Sequence, residues 1–211
     1  MNSPEPATTK PVIGLMGAPG SGKSLVASIL AELGCGIVDA DHIARDTIEH
    51  PEVRQQLRNW WGGSVIHPDG TVNRKAVGGI VFKDPAQRTR LEALVHPRVH
   101  AERWRLRSDY MRNLDIKAIV EDCPLLLEVG LDTECDTLVF VDSPKEHRER
   151  RVTETRGWSP EELADRESSQ LPLDIKRDRA DYVINNDADP DQLRVQSSRV
   201  LSLILHQTPS R

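Results

Sequence analysis

Residues Gly17-Ala18-Pro19-Gly20-Ser21-Gly22-Lys23-Ser24 fit the pattern G-x-x-x-x-G-K-[ST], which leaves little freedom to the fold around it. Glycines let the backbone curl until successive N–H groups converge on one phosphate. The pattern needs a strand before it and a helix after it, because the helix adds its positive N-terminal end to the cradle. Both flanks comply. Val12 to Gly17 is a short apolar run of β-formers and small residues, and a helical pattern follows from Lys23 to Leu33. The four fixed positions alone would match by accident in roughly one in a hundred chains of this length. A Rossmann dinucleotide site is the nearest competitor, with G-x-G-x-x-G and an acidic residue at the next strand end. Asp39 meets the second demand, but the glycine spacing and Lys23 do not fit the first. Lys23 is therefore expected on the β- and γ-phosphates of ATP, with the Ser24 hydroxyl on Mg²⁺.

The rest of the chain alternates. Ile37 and Val38 suggest a second strand ending at Asp39, Ile116 to Val120 a third ending at Glu121-Asp122, and Thr137 to Val141 a fourth ending at Asp142. Tyr182 to Ile184 reads as a fifth. Asp41 to Tyr110 is mostly helical, broken by the turn His67-Pro68-Asp69-Gly70. Residues 144–170 are charged and helical with a break near Gly157-Trp158-Ser159-Pro160, and Pro190 to His206 has helical periodicity. Strands separated by helices imply an α/β fold: a parallel five-stranded sheet flanked by helices, with ligands beyond the carboxyl ends of the strands. The expected layout is a disordered leader at 1–10 and a single P-loop kinase domain at 11–211. Its core takes 11–44, 114–143 and 178–211, a helical acceptor-binding insert takes 45–113, and a lid takes 144–177.

Bulk properties exclude several classes. The 211 residues suit one α/β domain with insertions. Asp and Glu exceed Lys and Arg by 33 to 28, which argues against non-specific nucleic-acid binding. Cys35, Cys123 and Cys135 are odd in number, widely spaced and free of CxxC, so reduced thiols in the cytoplasm are expected. No stretch reaches the roughly 18 apolar residues of a membrane helix, and no membrane partner is expected.

A phosphate loop does not name a reaction. No Asp in the chain has a Gly three residues on, and N-K-x-D is absent, which argues against a GTPase switch. A small kinase remains, needing a carboxylate for the acceptor hydroxyl and a lid that supplies cations. Asp39 and Asp41 offer carboxylates near the second strand end, and they share a face if the chain is extended there. A helix N-cap suits Asp41 equally well. Asp122 reads either as a holder of a magnesium-bound water or as a satisfied buried carboxylate. The run His147-Arg148-Glu149-Arg150-Arg151, with Arg156 and Arg166, supplies bidentate cations, although most belong to a solvated helix face. His96 before Pro97 marks either a helix end or an acceptor contact. Trp60-Trp61 reads as packing rather than a base-stacking platform. A non-catalytic ATP-binding regulator, and a kinase for a nucleoside monophosphate or sugar acid, stay open at this level.

The ordered motifs resemble those of the dephospho-coenzyme A kinase family, from about Val12 to the C-terminal helix. They are GAPGSGKS, Asp39-Ala40-Asp41, Phe82-Lys83-Asp84, Leu91-Glu92, His96-Pro97, Pro124-Leu125-Leu126-Leu127-Glu128, Gln170-Leu171-Pro172 and Ala180-Asp181. The resemblance implies transfer from ATP, with Mg²⁺, to the ribose 3′-hydroxyl of dephospho-coenzyme A. It implies Asp41 as the catalytic carboxylate beside Asp39, and Arg150 and Arg156 as lid arginines. Gly17, Pro19, Gly20, Ser21, Gly22, Lys23, Ser24 and Leu25 would hold ATP, with Asn186 near the adenine. His96 and Pro124 would bind the acceptor, and Ser24 and Asp122 the metal. Three positions depart from the family's usual residues: Leu25 stands for Thr, His147 for Gln and Asn185 for Asp.

Overall fold

The computed structural model describes residues 10–187 and 189–206. Only Lys10 of the leader falls among them, and it is held: its ammonium donates to the Tyr110 carbonyl at 2.8 Å. In chain order the elements are β1 (Val12–Gly17), α1 (Lys23–Glu32), β2 (Cys35–Asp39), α2 (Ala40–Glu49), α3 (Pro51–Trp61), α4 (Arg74–Lys83), α5 (Pro85–Arg112) and β3 (Ala118–Asp122). Then follow β4 (Thr137–Asp142), α6 (Lys145–Arg156), α7 (Pro160–Ser168), α8 (Leu173–Asp178), β5 (Tyr182–Asn185) and α9 (Pro190–His206). They group into two compact units: one runs to Val38 and resumes at Arg107, and the other is Asp39–Leu106.

The first unit is built on a five-stranded sheet in the order β2-β3-β1-β4-β5. β1 pairs in parallel with β3 and β4, and β4 in parallel with β5. All six residues of β1 are buried, as a central parallel strand covered on both faces requires. α1 turns Val26, Ala27, Ile29 and Leu30 onto the sheet, and α9 adds Leu193, Leu201 and Ile204 to the same core. The chain leaves β1 toward β2 on one side and leaves β3 toward β4 on the other. The crevice beyond β1 and β3 is thus the switch point where such sheets take ligands.

The second unit packs Val53 and Leu57 of α3 with Val65, Val72 and Val77. Trp60 and Trp61 lie edge to face at 5.7 Å and pack against this cluster, so they are structural, as their setting suggested. The turn at 67–70 is a small hairpin. His67 donates to Thr71 O at 2.7 Å, and Ile66 bridges Val72 antiparallel. Hydrogen bonds from the Thr71 hydroxyl and amide hold the exposed Asp69 carboxyl below its ordinary range.

Three local expectations change. β3 begins at Ala118 and runs through Glu121 and Asp122, so these carboxylates lie within the strand. The helix does not end at His96: α5 continues through Pro97 for 28 residues, forfeiting one backbone hydrogen bond where proline has no N–H. The chain is already helical at Ala40, so Asp39 and Asp41 do not share an extended face.

Candidate active site

Residues 18–22 bridge β1 to α1. Ser21 N–H donates to Ala18 O at 3.1 Å, closing the loop's first turn. Gly20 and Gly22 have φ of 78° and 92°, which L side chains rarely adopt. A Cβ on Gly22 would come within 2.1 Å of Asn186 Nδ2, and one on Gly17 within 2.6 Å of Val141 O. Glycine is therefore demanded by close approach as well as by φ. Gly22 caps α1 without any side-chain hydrogen bond, leaving the positive helix end to face a ligand. Lys23 Nζ donates to Gly17 O at 3.1 Å across the loop. The curled backbone, the lysine and the uncapped helix end fit a nucleotide polyphosphate.

The loop is also gripped from outside. Arg151 of α6 sends Nη1 to Ser143 Oγ at 2.9 Å and toward Gly20 O and Ser21 O, both at 3.4 Å. Its Nη2 donates to Asn186 O at 3.0 Å and Asn186 Oδ1 at 3.1 Å. Asn186, just past β5, donates from Nδ2 to Ser21 O at 2.7 Å, and the Ser143 hydroxyl donates to Asn186 O at 3.0 Å. Burial pushes the Arg151 guanidinium pKa down, as does the neighbouring Arg150 charge, against an opposing pull from Asp187.

Polar residues gather at the carboxyl ends of the strands of the first unit. Asp122 ends β3 opposite Leu15 of β1 and is buried. Asp142 ends β4 and is paired with Arg177. In the second unit Asp39 caps α2, accepting from His42 N–H at 2.8 Å, and Asp41 lies exposed in the first turn.

Two motifs distant in sequence meet in the first unit. Lys176 is 1% exposed, and its ammonium reaches Glu128 Oε1 at 2.8 Å, Gln170 Oε1 at 2.9 Å and Pro124 O at 3.1 Å. Glu128 Oε1 also accepts Leu171 N–H at 2.8 Å. Burial pushes the Glu128 carboxyl up, but the hydrogen bonds from Lys176 and Leu171 outweigh it and hold the pKa below the ordinary value. Pro124-Leu125-Leu126-Leu127-Glu128 and Gln170-Leu171-Pro172 thus form one knot, tied by a lysine that the sequence reading passed over. α7 starts with a capping box between Ser159 and Glu162, and Glu167 near its end pairs with buried Arg148 of α6.

The other expected residues fall as follows. Arg150 is exposed on α6. Arg156 lies 4.7 Å from the ring centroid of Trp158, and Arg166 lies 4.0 Å from the same ring. Pro19 lies in the loop, Ser24 is exposed in the first turn of α1, and Leu25 beside it is 47% exposed. His96 is exposed on α5. Arg151 was missed because the arginine run offers five residues with equal chemistry, and only the docking of α6 on Gly20 and Gly22 singles one out.

Comparison with known proteins agrees along the chain. The family model of CoaE, dephospho-CoA kinase, matches residues 11–192. A dephospho-CoA kinase of Corynebacterium glutamicum is 38% identical over 194 residues, covering 92% of this chain and 96% of that protein. One from Symbiobacterium thermophilum is 40% identical over 186 residues, covering 88% of this chain and 77% of that protein. Among solved structures, a Thermus thermophilus protein superposes with a TM-score of 0.79 at 30% identity, covering 95% of this chain and 100% of that one. The dephospho-CoA kinase of Campylobacter jejuni gives 0.65 at 23% identity over 92% of this chain and 97% of its own, a likeness of fold.

Proposed function

The chain belongs to the dephospho-CoA kinase family, and from that premise we propose that it phosphorylates the ribose 3′-hydroxyl of dephospho-coenzyme A with ATP, releasing coenzyme A and ADP. The observation that carries this reading is the glycine loop between β1 and α1, shaped for a polyphosphate, in a chain that aligns with these kinases over nine-tenths of its length.

Transfer forms a bond from the 3′-oxygen to the γ-phosphorus and breaks the bond from that phosphorus to the β–γ bridging oxygen. The hydroxyl proton goes to Asp41, with Asp39 fixing the start of α2 and lending acceptor contact. Gly17, Pro19, Gly20, Ser21, Gly22 and Leu25 hold the nucleotide, Lys23 neutralises its β- and γ-phosphates, and Asn186 supports it at the adenine end. Arg150 and Arg156 meet the charge that builds on the transferring group. His96 and Pro124 contact the acceptor. Mg²⁺, held by Ser24 and a water on Asp122, would supply charge neutralisation. Closure of the lid excludes water that would otherwise hydrolyse ATP. Cys35, Cys123 and Cys135 are buried thiols outside any disulfide among the described residues, which supports a reducing, cytoplasmic setting. Among the described residues no helix is long and apolar enough to cross a membrane.

The test is ADP release against a panel of dephospho-coenzyme A, nucleoside monophosphates and sugar acids. Selective turnover of dephospho-coenzyme A is expected. Preference for any other acceptor, or ATP binding without product, overturns the proposal.

A further inference from the structure

Gly22 N–H belongs to the peptide whose carbonyl is Ser21 O. A trans peptide points its N–H and C=O in opposite directions, and no described peptide is cis. Whatever holds Ser21 O on the outside therefore aims Gly22 N–H at the inside of the loop. Asn186 Nδ2 holds it at 2.7 Å. An amide can turn over, however, and the reversed Asn186 would set Oδ1 against Ser21 O, two acceptors facing each other. Arg151 prevents this. Its guanidinium carries only donors, and it occupies Asn186 Oδ1 at 3.1 Å and Asn186 O at 3.0 Å, with Ser143 Oγ completing the set at 2.9 Å.

We infer that Arg151 is a positioning residue for phosphoryl transfer, which locks the Asn186 amide so that the Ser21–Gly22 peptide presents its N–H to the nucleotide's phosphates. The chain of action runs from guanidinium to amide to carbonyl to N–H, and α6 acts as the outer wall of the loop. The Gly20 contact agrees: a Cβ there would meet Arg148 O and Val152 Cγ1 of α6, each at 2.9 Å. This role is separate from the one proposed for Arg150, whose neighbouring side chain is exposed. It rests on the reading of residues 17–24 as the ATP cradle.

The test is displacement of a fluorescent ATP analogue by ATP and by inorganic tripolyphosphate, with no acceptor present. Arg151→Met should weaken both competitors alike by roughly 10–100-fold, the scale of a lost hydrogen bond involving a charged group. Dephospho-coenzyme A affinity should stay at the wild-type value. Arg151→Lys keeps the charge but not the fork, and should recover little. Asn186→Asp puts an oxygen where Nδ2 donates and should reproduce the loss, which keeps the idea testable if Arg151→Met does not fold. Weakening of ATP alone, with tripolyphosphate unchanged, would mean that Arg151 touches the base or sugar, and would overturn the inference. Full recovery in Arg151→Lys, wild-type tripolyphosphate affinity in Asn186→Asp, or a parallel fall in dephospho-coenzyme A affinity would overturn it too. Failure of the wild-type protein to bind tripolyphosphate would instead sink the cradle itself.

Discussion

Asp41 stands two residues beyond Asp39, and Asp39 already serves the amide of His42 as the cap of α2. The capping demand that made Asp41 ambiguous in the sequence is thus met by its neighbour, and the exposed Asp41 carboxylate is not the cap, which suits the acceptor role proposed for it. Asp41→Asn should lower turnover by about 10²–10⁴-fold, the usual range for a lost general base. ATP affinity should not change, so steady-state rates paired with a binding titration decide the matter, and a near-normal rate removes Asp41 from its role. Cys35 shows the opposite behaviour of a titratable group. Burial pushes its thiol from 9.0 to about 11, with Lys117 pulling slightly back. The folded state then keeps a proton that the unfolded state has lost, so stability should fall as pH rises from about 9 to about 11. Cys35→Ala should flatten that part of the pH–stability curve, and an unaltered slope would contradict the burial. The conformational demand on Gly20 and Gly22, read along the backbone, was legible without a structure. Lys176 was not, because a lysine within a charged stretch looks solvated until Glu128 and Gln170 arrive from elsewhere.

At the scale of elements, strand and helix types followed from period and punctuation. α9 spans Pro190–His206 as its periodicity suggested, and β4 and β5 extend one residue past the expected runs. The misplacements share a cause. Neither is fixed by local preference: α5 runs on through an exposed Pro97, and β3 takes the five residues that the sheet buries. The link between the turn after β3 and α8 is likewise tertiary, made by Glu128 and Lys176. Because Glu128 is held below its ordinary pKa of 4.5, its contribution is present above that unfolded value and is lost as pH falls through the folded one. Glu128→Gln should therefore lower the melting temperature at pH 7, and the gap to wild type should close on acidification toward pH 3. A gap that is constant across that series would show that the carboxylate's charge is not what holds the knot.

For the whole molecule, alternation announced a parallel sheet, while the order β2-β3-β1-β4-β5 and the division at Val38 and Leu106 were not readable, since both depend on contacts between distant segments. What the order supplies is a crevice at β1 and β3 with the phosphate loop at its edge, inside one compact unit. A ligand bound by that loop must stabilise that unit, because it binds the folded form alone. ATP at a hundred times its dissociation constant adds about 2.7 kcal/mol to the folded state. For a chain of this size each kcal/mol moves the midpoint by roughly 2–4 °C, so a rise of about 5–10 °C is expected in a thermal scan. Two separate transitions, if the units melt independently, would place the whole rise on the one that contains the loop. Lys23→Met removes the cation proposed to face the β- and γ-phosphates without touching the core, so its own midpoint should stay near wild type while the ATP-induced rise disappears at the same concentration. A wild-type scan that ignores saturating ATP, or a Lys23→Met scan that still responds in full, would separate the loop from the nucleotide and leave the fold without the chemistry assigned to it.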